Sequence, residues 1–193
     1  IFFENLLLRG NRTTKVNAEN FNAFRSFNYP PLATVGIHIK YAYDRIKKAD
    51  PDVPMHPHLA FDTNVMVLTI FPGMQESLVK CALQTPGLKA VVLRTYGSGN
   101  APQKKWFVDL LKEATSRGIV IVNTSQCPAG MVEMGRYETG IHLLEAGVIS
   151  GYDATLESVL TKLMFLTGHN LTPREIRSEM TRSLAGEFTS PTL

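Results

Sequence analysis

Three short apolar runs, separated by stretches of helical spacing, constrain the fold of this chain more than any other feature. The runs span residues 64–71 (NVMVLTIF), 88–93 (LKAVVL) and 119–123 (IVIVN) and are rich in β-branched residues. Between them, residues 74–83 and 102–117 carry apolar side chains at helical spacing. Strands that are apolar on both faces and alternate with helices predict an α/β fold, with a parallel sheet and flanking helices. Further helices are predicted over residues 137–146, 156–166 and 172–183.

Residues 1–61 do not follow this alternation. An apolar run over residues 1–8 predicts a buried strand, RGNRTTK at 9–15 a polar turn, residues 18–24 a short helix, and residues 37–43 another strand. Residues 46–61 are rich in Pro, Asp and Lys and are typical of a linker. We therefore expect the end of a first domain at residues 1–45, an interdomain linker at 46–61, and a second α/β domain at 62–193. Because Ile1 opens an apolar run, we expect the chain to begin within the first domain.

The composition excludes several functions. The net charge is +3 over 193 residues, with 44% hydrophobic and 19% charged residues, as in ordinary globular proteins. No apolar run approaches the roughly 18 residues that a membrane span needs, and the basic clusters are too short to indicate a nucleic-acid surface. Cys81 and Cys127 lack the spacing of a metal or redox site, and His56 and His58 lack a third ligand nearby. We expect reduced thiols, no metal site and a cytoplasmic location.

Polar segments follow the predicted strands, at the edge where open α/β sheets bind ligands. Residues 94–102 (RTYGSGNAP) follow the second apolar run of the parallel sheet, and Asn100 offers both a hydrogen-bond donor and an acceptor. Residues 124–130 (TSQCPAG) follow the third run. After the run at residues 1–8, Lys15 lies beside threonine hydroxyls and could relay the proton of a nucleophilic hydroxyl. These segments are the candidate site.

Five segments together resemble the cytoplasmic (bacterial type I) L-asparaginases. They are RGNRTTKVNAENFNAFRSFNYPPLATVGIHI, LRTYGSGNAP, VNTSQCPAG, AGVISGYDATLESVLTKL and LAGE, in the order and at the approximate spacing of that family. The resemblance implies a two-domain α/β subunit, in which the last part of the larger catalytic domain precedes the complete smaller domain. It also implies hydrolysis of L-asparagine to L-aspartate and ammonia through a threonine acyl-enzyme, without a cofactor, in a dimer or a dimer of dimers.

The resemblance assigns roles to individual residues. Lys15 matches the lysine of the family's Thr–Asp–Lys triad, and Asn100 matches the residue that a partner subunit inserts near the amino-acid end of the substrate. Thr14, Arg94 and Cys127, with Asn100, are candidates for a regulatory asparagine site. The family's nucleophilic threonine lies in a TGGT-type motif, and the second threonine and the aspartate lie in a TDT motif. Neither string occurs in this sequence, so we expect the chain alone to be inactive.

Two other functions remain open from the sequence. The chain could be part of the asparaginase-like subunit of a tRNA-dependent amidotransferase, which uses the same fold to release ammonia from glutamine. It could also be a non-catalytic binding or assembly module. The match in RGNRTTK and TSQCPAG favours the asparaginase.

Overall fold

A computed structural model describes residues 1–135 and 138–190 of the chain. The strands are β1 (Phe2–Phe3), β2 (Leu6–Leu7), β3 (Thr14–Lys15), β4 (Phe24–Arg25), β5 (Ala33–Val35), β6 (Ile39–Tyr41), β7 (Val65–Thr69), β8 (Ala90–Thr95), β9 (Val120–Ser125) and β10 (Ile149–Ser150). The helices are α1 (Glu76–Leu83), α2 (Lys105–Ser116), α3 (Glu138–Glu145), α4 (Leu156–Thr167) and α5 (Pro173–Met180), with a 3₁₀ turn at Gly10–Arg12.

A parallel sheet forms the body of the second half, as predicted. Its strand order is β10-β9-β8-β7, and all three pairings are parallel. The three predicted strands are present, each within two residues of its expected limits. Strand β10 was not predicted, because two half-buried residues are too few to give a periodic signal in the sequence.

Helices cover both faces of this sheet. The alternation of side chains along β8 sends Val91 and Leu93 into a core with α1, α2 and α3. Ala90 and Val92, on the opposite face of β8, enter a second core with α4 and α5. Burial on both sides explains why these strands read as continuous apolar runs.

Several helices begin or end at residues that commonly cap helices. Thr172 and Glu175 form the predicted capping box, with Pro173 at the first helical position. The helix that was expected from residue 102 begins instead at Lys105, after an extended Lys104. Gly118 lies just beyond its end at a φ of +93°. The predicted helix over 137–146 is present as α3, although Tyr137 lies outside the described residues.

Residues 1–41 are antiparallel and correct two expectations. Residues 1–8 form the hairpin β1–β2 rather than one strand, and Glu4 turns the chain at a φ of +54°. The strand order of this sheet is β1-β2-β5-β6. The helix expected over residues 18–24 is absent, because the Asn17 side chain accepts hydrogen bonds from the amides of Glu19 and Asn20 and closes a turn.

The stretch between the two sheets contains no regular element. From residue 42 to residue 64, all of which the structure describes, the chain has neither helix nor strand. His58 in this stretch packs against the rings of Phe165 and His169. The limits 1–45, 46–61 and 62–193 stay predictions. Within the described residues, no helix has both the length and the apolar character needed to cross a membrane.

Candidate functional site

The carboxyl ends of β8 and β9 lie side by side, as the sequence predicted. Arg94 pairs with Thr124 and Thr95 with Ser125 in the parallel register. The loops beyond them are joined by a hydrogen bond from Ser125 Oγ to the carbonyl of Gly97 at 2.6 Å. The adjacent Gln126 donates through Nε2 to the carbonyls of Ile70, at 2.8 Å, and Arg94, at 3.1 Å. The two loops that follow the strands therefore form one wall.

The segment RGNRTTK reaches the same edge of the sheet from the other end of the chain. The Arg12 guanidinium donates two hydrogen bonds to the Asp153 carboxylate, at 3.0 and 2.7 Å. Both residues are buried, with 2% and 6% of their surface exposed. Two residues later, Thr14 Oγ1 donates to Glu157 Oε1 at 2.5 Å, at the start of α4. A bidentate pair fixes direction as well as distance, so these contacts set how the segment lies.

These walls enclose a cleft of about 170 Å³, which we call the strand-edge cleft. Of the four residues that the sequence grouped as a regulatory site, Thr14, Arg94 and Cys127 line this cleft and Asn100 does not. These three come from segments that are far apart in sequence, so their convergence is a tertiary result. The other polar residues of its lining are Arg12, Asn28, Ser125, Gln126, Tyr152, Asp153, Thr155 and Glu157.

Two arginines, Arg12 and Arg94, line the strand-edge cleft. Asp153 neutralises Arg12, and Asp153 also accepts hydrogen bonds from the backbone amide and hydroxyl of Thr189, each at 2.7 Å. The Nε atoms of Arg12 and Arg94 are both buried without a hydrogen-bond partner among the described residues. An unpaired guanidinium N–H favours a carboxylate. Glu157, in the same lining, accepts a hydrogen bond from Thr14, so the cleft is lined by both cationic and anionic side chains.

The two residues expected at the catalytic centre lie outside the lining of this cleft. Lys15 is exposed on β3, directly after Thr14, and pairs with Phe24 of β4. Asn100 is half-buried in the loop after β8. Its backbone is fixed there by reciprocal hydrogen bonds with Tyr96, at 2.8 and 2.9 Å. Both residues are held by backbone pairing.

The sequence reading assigned no role to Asp153 or Glu157, although both lie in a segment that it singled out. They flank the start of α4, where acidic residues are common for helix-capping reasons alone. The missed strand β10 hid the fact that this turn lies at the binding edge. As for metals, the described residues contain no group of three or more His, Cys, Asp or Glu placed to hold an ion. Cys81 and Cys127 are exposed free thiols.

Comparisons with known proteins agree with the fold and with the motifs. The model of the glutaminase/asparaginase C-terminal domain matches residues 64–180, and that of the asparaginase N-terminal domain matches residues 1–47. The chain is 46% identical over 190 residues to L-asparaginase 1 of Escherichia coli (strain K12), over 98% of this chain and 55% of that protein. It is 42% identical over 194 residues to the 60 kDa lysophospholipase of Homo sapiens, over 100% of this chain and 34% of that protein.

Among solved structures, L-asparaginase I from Vibrio cholerae superposes with a TM-score of 0.91 at 41% identity. The superposition covers 97% of this chain and 56% of that one. These findings confirm the two-domain α/β fold. The chain spans about half the length of L-asparaginase 1 and about a third of the lysophospholipase.

Proposed function

The chain belongs to the glutaminase/asparaginase family, and we propose that the protein carrying it hydrolyses L-asparagine to L-aspartate and ammonia. The observation that carries this proposal is its 46% identity to an L-asparaginase across nearly its whole length. The docking of the Lys15 segment against the strand edge supports it, because that geometry gives the lysine a fixed backbone position.

The proposed reaction proceeds in two steps. A threonine hydroxyl attacks the side-chain amide carbon of asparagine, its proton passes to the leaving nitrogen, and ammonia departs from an acyl-enzyme. Water then hydrolyses the ester to release aspartate and regenerate the hydroxyl. Lys15 assists the proton transfers in a Thr–Asp–Lys triad. The TGGT-type and TDT motifs that carry the other members do not occur in these 193 residues, so we expect the isolated chain to release no ammonia.

Asn100 contributes to substrate binding across a subunit interface in this proposal. Its closed backbone turn holds the side-chain amide, which can hydrogen-bond the amino-acid end of asparagine. A contribution in trans requires an oligomer, and we propose a homotetramer built as a dimer of dimers. The free thiols of Cys81 and Cys127 support a cytoplasmic, reducing location.

Ammonia release from L-asparagine by the full-length protein tests the activity. We expect Lys15→Met to lower kcat by about 10²-fold or more with little change in KM, because the lysine acts in the transition state. Lys105→Met is the matched control, since Lys105 is exposed and pairs with Asp109 of its own helix. A Lys15→Met enzyme with near-normal kcat would remove Lys15 from the mechanism.

The strand-edge cleft is proposed as the regulatory asparagine site. Thr14, Arg94 and Cys127 line it, and the guanidinium of Arg94 can pair with a carboxylate. We expect Arg94→Ala to abolish a sigmoidal dependence of rate on asparagine. Arg174→Ala, an exposed change on α5, should leave the curve unchanged. Unchanged sigmoidality in Arg94→Ala would contradict this assignment.

The asparaginase-like subunit of a tRNA-dependent amidotransferase is the weaker alternative. It predicts ammonia release from glutamine that depends on a partner subunit and tRNA, whereas an asparaginase needs neither. A non-catalytic module predicts no hydrolysis of either amide by the full-length protein. One assay with asparagine, glutamine and glutamine plus tRNA separates the three.

A further inference from the structure

Three consecutive backbone carbonyls near the end of the described chain bind side chains of the first 47 residues, and two of these side chains belong to the segment that precedes Lys15. The carbonyls of residues 184–186 each accept a hydrogen bond from a side chain in the first 47 residues. The donors are Lys47 Nζ to Leu184 at 2.7 Å, Asn11 Nδ2 to Ala185 at 2.9 Å, and Arg9 Nη1 to Gly186 at 3.2 Å. Three hydrogen bonds to consecutive carbonyls indicate that this stretch of backbone is shaped to fit the side chains that it binds.

Glu187 gives the backbone this shape. Its carboxylate accepts hydrogen bonds from the amides of Leu184, at 3.1 Å, and Ala185, at 2.7 Å, so the chain curls around it. The same carboxylate pairs with Lys162 of α4 at 2.7 Å, and both side chains are only 6% exposed. With the amides turned inward on Glu187, the carbonyls of the same residues face outward. The buried Lys162–Glu187 pair thereby fixes residues 184–187 to α4, which packs on the parallel sheet.

Gly186 and Arg9 fit together closely within this contact. Gly186 has a φ of +75°, and a Cβ at this position would overlap Arg9 Nη1. The guanidinium carbon of Arg9 lies 4.2 Å from the centroid of the Tyr29 ring, and the Arg9 carbonyl accepts from the Thr13 hydroxyl at 2.7 Å. Arg9 therefore connects Gly186 to Thr13, two residues before Lys15.

Thr189, two residues after Glu187, makes a second attachment to the α4 region. Thr189 binds the carboxylate of Asp153 through its amide and its hydroxyl, and Asp153 holds Arg12. Residues 187 and 189 are thus fixed to the α4 region, and Ala185 and Gly186, directly before them, bind Asn11 and Arg9. By comparison, β3, which carries Lys15, has only two residue pairs with β4.

We propose that residues 183–189, here called the C-terminal clasp, are a positioning element that sets the place of Lys15 relative to the substrate. The clasp touches no reacting atom; it acts through Arg9, Asn11 and Arg12. The inference rests on the proposed catalytic role of Lys15. It gives a function to the motif LAGE, at residues 184–187, which the reaction itself does not use.

Kinetics of the full-length protein provide the first test. We expect Glu187→Gln to lower kcat about tenfold or more while KM stays within about twofold, because small misplacement of a catalytic group mainly raises the barrier. Asn11→Ala, which removes one exposed hydrogen bond, should lower kcat by a smaller factor without threatening the fold. Glu113→Gln is the control, an identical chemical change on α2 at an exposed carboxylate that pairs with Arg117. Equal kcat for folded Glu187→Gln and wild type would overturn the proposal.

Amide hydrogen exchange provides a readout that does not depend on activity. We expect Glu187→Gln and Asn11→Ala to speed exchange in residues 9–15, with the β8 and β9 amides unchanged. Faster exchange with unchanged kcat would show that the clasp orders the segment without positioning Lys15, and would overturn the inference. If wild type hydrolyses no asparagine, the proposed function fails, and unchanged exchange in both variants would separately show that the clasp does not hold the segment.

Discussion

At the scale of single residues, the buried Arg12–Asp153 pair decides how the two halves of the chain meet. Its members are 141 positions apart and both lie in the interior. Desolvating two charges is costly, and good geometry with further hydrogen bonds is needed to offset the cost. Asp153 meets that need through Thr189, and Arg12 through the carbonyl of Asn28 at 3.0 Å. Loss of one member leaves the other charged and buried.

We predict that Asp153→Ala lowers the free energy of unfolding by about 3 to 5 kcal/mol, because Arg12 loses its only carboxylate partner among the described residues. Urea denaturation at neutral pH measures the change. The matched control is Asp109→Ala, which breaks the exposed Lys105–Asp109 pair and should cost less than about 1 kcal/mol. Similar losses in both variants would show that the Arg12–Asp153 pair contributes little.

Single residues also show where sequence reasoning stops. Lys15 and Asn100 were found through their motifs, and their roles stay predictions. Asp153, Glu157 and Glu187 were missed as site or positioning residues, since an acidic side chain near a helix start or a chain turn has many explanations. These three carboxylates contact residues that are distant in sequence, and only the folded structure shows those contacts.

At the scale of elements, local signals explain most of what was predicted correctly. The buried strands, the capping box of α5 and the end of α2 at Gly118 all depend on residues within a few positions of one another. Errors arose where two local signals competed. Residues 18–24 have helical content, but Asn17 binds two nearby amides and favours a turn.

The capping box makes a prediction at this scale. We expect Thr172→Ala to lower the free energy of unfolding by about 1 kcal/mol, because the amide of Glu175 loses its side-chain acceptor. Chemical denaturation is the measurement. Thr161→Ala is the control, since the Thr161 hydroxyl bonds to carbonyls of its own helix α4, and its cost should stay within about 0.5 kcal/mol. Equal effects would mean that the cap is not a source of stability.

At the scale of the whole molecule, the buried Lys162–Glu187 pair links α4 to the C-terminal clasp. Burial alone would raise the pKa of Glu187, but hydrogen bonds from Lys162 and from backbone amides outweigh it and lower that pKa below its usual range. Burial lowers the pKa of Lys162, and Glu187 offsets this only in part. Arg182 and Glu179 are the other charged groups that act on Lys162.

This arrangement predicts a loss of stability in acid. A carboxyl with a lowered folded-state pKa stabilises the fold above its unfolded pKa, about 4.3 for Glu, and the contribution disappears as the pH falls through the folded value. We expect the gap in urea midpoint between wild type and Glu187→Gln to be largest at neutral pH and to shrink below about pH 4. Glu113→Gln, at an exposed site, should stay close to wild type at both pH values. A gap that does not change with pH would contradict the prediction.

The sequence by itself determined the family, the parallel sheet with its flanking helices, and the segments that carry the candidate site. These features depend on periodicity, caps and motifs, which act over short stretches of chain. Only the tertiary structure decided that Thr14, Arg94 and Cys127 share one cleft, that Arg12 is neutralised by Asp153, and that residues 185 and 186 hold the segment before Lys15. Such contacts join residues tens to more than a hundred positions apart, and their energy depends on burial and geometry that no local pattern encodes.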